Sequence, residues 1–150
     1  MIRIGILGNI GSGKSYVAKN FGYPVFDADY EVSKLYKNNR AMFKELNNEL
    51  PKYLKSFPIK KNEIVEAVLC DKNNLKKIIK IVHKEIRKKL NFFLKKNKDK
   101  KIVILDIPLL LENKINKKND ILVFVESKKP LIEKKLKKRA NFNPKIYKKF

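Results

Sequence analysis

A three-layer α/β fold around a parallel sheet is the architecture that this chain of 150 residues predicts. A strand-like run, Ile2 to Leu7, leads into a glycine-rich loop and then into "KSYVAKNF", whose Val17, Ala18 and Phe21 recur at helical spacing. Further on, "KIVILDI" places its apolar residues consecutively, as strands buried on both faces of a parallel sheet do. Between the two, Leu75, Ile78, Ile79, Val82, Ile86, Leu90, Phe93 and Leu94 hold the period of a long helix running to Lys96.

The first strand, Ile2 to Leu7, ends at "GNIGSGKS", which has the spacing G-x-x-x-x-G-K-S in Gly8, Gly13, Lys14 and Ser15. Such a loop cradles phosphate with inward-pointing backbone N–H groups. That requires glycine where a side chain would block the approach or φ turns positive. Lys14 supplies a point charge for β- and γ-phosphates, Ser15 a hydroxyl for Mg²⁺, and the following helix its positive N-terminal end. Gly8, Asn9, Ile10, Gly11, Ser12, Gly13, Lys14, Ser15 and Tyr16 are therefore the candidate nucleotide-binding residues.

"PVFDAD" is a short second strand opened by Pro24 and ending in two carboxylates. On an extended backbone Asp27 and Asp29 point the same way. Either can reach a substrate hydroxyl held near the γ-phosphate, orient it and accept its proton; equally, Asp29 can cap the helix that follows. Helices are expected over Tyr30–Tyr36 and Ala41–Leu50 with a break at Asn38-Asn39. A turn-rich stretch, Pro51–Pro58, comes next, then a helix capped by Asn62 and running through Leu69, and the long helix Leu75–Lys96. On that helix His83 and Arg87 lie four apart and share a face.

The third strand ends at Asp106, an apolar strand closed by aspartate that can hold Mg²⁺ through water. Pro108, Leu109, Leu110 and Glu112 follow it in "PLLLE". "DILVFVE" is the fourth strand. Pro130 opens a helix over Leu131–Lys138, and Arg139 at its end can cover phosphates as a lid. Ligands of parallel α/β sheets sit outside the carboxyl ends of the strands, so the residues just after each strand are the ones that matter.

Composition bounds the partners. No apolar run approaches the roughly 20 residues of a membrane span, and no signal peptide precedes the first strand. Cys70, the single cysteine, excludes an internal disulfide and suits a reducing cytoplasm; it reads as a small apolar residue rather than a nucleophile. A net charge of +22 brings nonspecific affinity for polyanions and steers anionic nucleotides. The excess is mostly lysine spread along the whole chain, which does not indicate sequence-specific nucleic-acid recognition.

In combination these residues resemble the dephospho-CoA kinase family. The carrying motifs are "LGNIGSGKS", with Asn9 where the family has glycine; "DAD", Asp27-Ala28-Asp29; His83 to Arg87 for "HP-x-x-R", with Lys84 in place of proline; "D-x-PLL-x-E", Asp106 to Glu112; and Lys138-Arg139, followed by Ala140 where aspartate is usual. The resemblance implies a P-loop NTPase fold: a core over about 1–29 and 100–138, a helical CoA-binding insertion between strands 2 and 3 over about 30–99, and a partial lid over about 139–150. It implies ATP-dependent phosphorylation of the ribose 3′-hydroxyl of dephospho-CoA with Mg²⁺. Asp29 is then the base, and Asp27, His83, Arg87, Pro108, Leu109, Leu110 and Glu112 serve the substrate. Arg139 is the lid arginine, and Ser15 and Asp106 hold the metal. The family continues with a further helix, strand and "N-x-G"-like stretch, which the resemblance implies is lacking after Phe150. Another small P-loop nucleotide or metabolite kinase, and a non-catalytic nucleic-acid-binding P-loop protein, are the alternatives. "DAD" and "PLLLE" together speak against the first, and charge alone favours the second.

Overall fold

The computed structural model describes residues 1–108, 115–128 and 130–132. In chain order the elements are β1 (Ile2–Leu7), α1 (Lys14–Asn20), β2 (Val25–Asp27), α2 (Ala28–Asn38), α3 (Arg40–Glu49), α4 (Lys61–Cys70), α5 (Lys72–Lys96), β3 (Ile102–Asp106) and β4 (Ile121–Phe124). Residues 130–132 are helical; the remainder of the helix expected to Lys138 lies outside the described residues. The chain forms two compact units, Met1–Ala28 with Asn97–Phe150, and Asp29–Lys96.

The first unit is the α/β one. Its four strands are all parallel, in the order β2-β3-β1-β4. β3 sits inside the sheet with Val103, Ile104 and Leu105 fully buried, so side chains of both faces are removed from water, which explains the unbroken apolar run. α1 packs on β1, β2 and β3 through Ala18. Ile4, Ile6, Ala18 and Ile104 form the core there, with Phe21, Val25, Ile102, Val123 and Val125 against it.

One buried ion pair pins this sheet. Arg3 Nη2 lies 3.0 Å from Asp120 Oδ2, with the two side chains 8% and 3% exposed, and it also donates to the Ile115 carbonyl at 3.2 Å. Asp120 additionally accepts the Lys117 N–H at 2.8 Å, so β1 is tied to the turn that launches β4. Removing one partner strands a buried charge. Arg3→Met is expected to lower the unfolding free energy by about 3 kcal/mol, and the double variant Arg3→Met/Asp120→Leu to recover much of that. Urea denaturation of the three proteins measures it; equal midpoints for Arg3→Met and the parent would contradict it.

The second unit is helical. Ile78, Ile81, Val82, Ile86 and Leu90 form the buried stripe of α5, against which α3 and α4 pack; Met42 and Leu46, and Ala67 and Val68, are the buried residues of those two helices. Lys77–Glu49 and Lys84–Glu45, both 3.2 Å, link α3 to α5 at the surface and contribute little energy. At the α4–α5 junction, buried Asn74 donates Nδ2–H to the Ala67 carbonyl at 2.9 Å.

Three local expectations are corrected. α2 begins at Ala28, so Asp29 is its second residue rather than part of an extended strand, and it does not alternate with Asp27 onto one face. Asn62 does not cap α4: the helix begins at Lys61 after an extended Lys60 with no side-chain cap. α5 begins at Lys72, earlier than its apolar period, and the Asp71 carboxylate accepts the Asn73 N–H at 2.8 Å. No described helix is long and apolar enough to cross a membrane.

Candidate active site

The loop between β1 and α1 is built by its glycines and its lysine. Gly8 has φ +140°, and a Cβ there would run into the carbonyl of Val125, a residue held beside the end of β1 by donating its N–H to the Leu7 carbonyl, and would crowd Ser12 Oγ. Only glycine lets the chain leave the sheet at this angle. Gly13, at φ +102°, makes the left-handed step that opens α1. The Ser12 N–H donates to the Asn9 carbonyl at 3.1 Å. Lys14 Nζ donates to the carbonyls of Gly8 at 2.8 Å and Asn9 at 2.9 Å, so its ammonium is held over the loop that carries it. A positively charged, tightly turned cradle with no room for a side chain at Gly8 suits a phosphate chain. Ser12 Oγ is buried with no hydrogen-bond partner among the described residues and lies on the Gly8 side of the loop.

Beside the loop stand two carboxylates. Asp27 and Asp106 end β2 and β3 as register partners, so neighbouring strands deliver them side by side at the carboxyl edge of the sheet. The Ser15 side chain faces the Asp106 carboxylate and favours its charged form, and Asp106 is only 4% exposed. Burial pushes the Asp106 carboxyl above its ordinary range, and the charge of Asp27 pushes the same way; Ser15, Lys14 and Lys19 pull it part of the way back. Lys19 escaped the sequence reading, although it lies four residues after Ser15 on α1 and so shares its face.

The first unit thus brings together Gly8–Ser15, Asp27 and Asp106, with exposed Tyr16 on α1 and exposed Pro108 just beyond β3. Asp29, His83 and Arg87 belong to the helical unit. There His83 is half-buried, and burial, followed by the Arg87 charge, holds its imidazole below the usual histidine range, favouring the neutral ring. Leu109, Leu110, Glu112 and Arg139 lie outside the described residues. Among the described residues no group of three or more histidine, cysteine or acidic side chains is gathered for a metal. A serine hydroxyl with one or two carboxylates is nevertheless the sparse oxygen set that Mg²⁺ takes when phosphates and water complete its shell.

The dephospho-CoA kinase family model matches residues 2–146, nearly the full chain. The chain belongs to the dephospho-CoA kinase family. It is 34% identical over 141 residues to the dephospho-CoA kinase of Wolbachia pipientis wMel, covering 91% of this chain and 72% of that one. It is 32% identical over 149 residues to the dephospho-CoA kinase of Bartonella henselae, covering 96% and 76%. The crystal structure of TT1252 from Thermus thermophilus superposes with a TM-score of 0.77 at 29% identity, over 97% of this chain and 75% of that one. Dephospho-CoA kinases are phosphotransferases of coenzyme A biosynthesis, and the parallel α/β sheet with its loop after β1 is their P-loop fold.

Proposed function

We propose that this protein transfers the γ-phosphoryl group of ATP to the ribose 3′-hydroxyl of dephospho-CoA, giving coenzyme A and ADP. The observation that carries the reading is the junction of the Gly8–Ser15 loop with the Asp106 carboxylate through the Ser15 hydroxyl, beside Asp27, in a chain matched by the family model almost throughout. The loop backbone and Lys14 bind and neutralise the phosphates of the nucleotide. Ser15 and Asp106 would hold Mg²⁺, which supplies charge neutralisation between phosphate oxygens when bound. Asp29 orients the acceptor hydroxyl and takes its proton. Asp27, His83, Arg87, Pro108, Leu109, Leu110 and Glu112 serve the dephospho-CoA side, and Arg139 covers the transferring group. Residues 30–99 are the acceptor-binding insertion of a single kinase domain, and residues 139–150 are part of its lid.

A coupled ADP-release assay tests the substrate, with dephospho-CoA, AMP and adenosine offered as competing acceptors. Dephospho-CoA is expected to be phosphorylated with the highest kcat/KM, and its product to carry the new phosphate on the 3′ position by ³¹P NMR. A preference for AMP would replace this reading with that of a nucleotide kinase.

A further inference from the structure

α5 carries ten cationic side chains and a single carboxylate, Glu85. Lysine is abundant throughout the chain, so an exposed lysine face alone signifies little. Phe92 is different. It is 69% exposed, the most exposed large apolar side chain described on this helix, while the apolar stripe of α5 is turned inward. Its neighbours at i−4, i−3, i+3 and i+4 are Lys88, Lys89, Lys95 and Lys96. Residues at those spacings adjoin on a helix surface, and all four are exposed. Lys88 also pairs with Glu85 at 2.7 Å. One bare aromatic ring thus stands inside a rim of four ammonium groups.

We infer that this face of α5 binds single-stranded nucleic acid without sequence preference, a base stacking on Phe92 and the flanking phosphates meeting Lys88, Lys89, Lys95 and Lys96. Any base presents a π-face to a ring, and a lysine rim complements the phosphates on either side of it. Lysine on a flexible stem suits backbone contact rather than the reading of base edges. An anionic membrane is the poorer fit. A surface-lying helix needs a broad apolar face, and that of α5 is occupied by the core of its own unit.

The test is fluorescence anisotropy of a labelled 12-nucleotide oligothymidine, against a duplex of equal length, over a salt series. The single strand is expected to bind more tightly than the duplex. Phe92→Ala should weaken single-strand binding about 5- to 150-fold, the range seen for losing one stacked base, with little change for duplex. Reversing Lys89, Lys95 and Lys96 to glutamate should lower the salt slope by about 2, at about 0.7 per phosphate contact. Reversing Lys37, Lys44 and Lys60 changes net charge equally and should cost much less affinity. Circular dichroism melts establish that each variant is folded. Equal binding by Phe92→Ala and the parent, or equal losses from the two triple reversals, would overturn the proposal. So would a dependence on Phe92 seen only with phosphatidylserine–phosphatidylcholine vesicles, which would make the face a membrane contact.

Discussion

Lys14→Ala is expected to lower phosphoryl transfer by about 10²–10³-fold or more, in kcat rather than in acceptor KM. In the proposed transfer the Lys14 charge would follow the γ-phosphoryl group into the transition state, and a preorganised cation aimed at developing charge is worth roughly that factor. The geometry adds a second effect. Lys14 Nζ bridges the carbonyls of Gly8 and Asn9, so the same side chain holds the loop in shape. Removing it exposes two carbonyl oxygens to the phosphates they would repel, which should weaken ATP binding as well. Calorimetry with ATP and single-turnover transfer to dephospho-CoA separate the two losses. Turnover at the parent rate in Lys14→Ala would mean that the loop is not a kinase phosphate site.

The parts of the site legible in the sequence are those whose geometry is local. Gly8 to Ser15 is a contiguous turn, and its glycines announce positive φ wherever the loop occurs, so the motif and its position after β1 could be read directly. The burial of β3 was legible for a similar reason: Ile102 to Leu105 leave no polar face for water. What resisted reading depends on strand order. Ser15 meets Asp106, and Asp27 stands beside it, only because β3 lies between β2 and β1. Nothing in the local pattern of either aspartate states that neighbour.

The ends of elements resisted for another reason. Alternation extended to Asp29 overruns β2 by two residues, since "FDAD" shows no punctuation where extended backbone turns helical at Ala28. The apolar period places the start of α5 at Leu75, although the Asp71 side chain opens the helix sooner. In both cases a backbone hydrogen-bond choice decided the boundary, and hydrophobic periodicity does not report such choices.

Asp29→Asn is expected to lower transfer to dephospho-CoA by about 10²–10⁴-fold, the contribution of a positioned general base, while ATP binding is retained. Asparagine keeps the shape and the hydrogen bond to an acceptor hydroxyl but cannot take its proton. Two carboxylates compete for this role, and the fold gives them different surroundings. Asp27 ends β2 in register with Asp106, and its charge helps keep the Asp106 carboxyl raised. Asp27 is therefore electrostatically engaged with the group proposed to hold the metal. Asp29, exposed and one residue into α2, follows it by two positions, a span of at most about 7 Å along the chain. It belongs to the helical unit, on a different element from Asp27. The two variants should then differ in kind. Asp27→Asn removes a like charge beside Asp106 and should alter the Mg²⁺ concentration needed for half-maximal rate. Asp29→Asn should leave that requirement unchanged and flatten the acidic limb of the kcat profile against pH, because the group whose ionisation sets that limb is gone. Rates measured across pH and Mg²⁺ for both variants decide between them. A flattened limb in Asp27→Asn, with parent behaviour in Asp29→Asn, would move the base to Asp27.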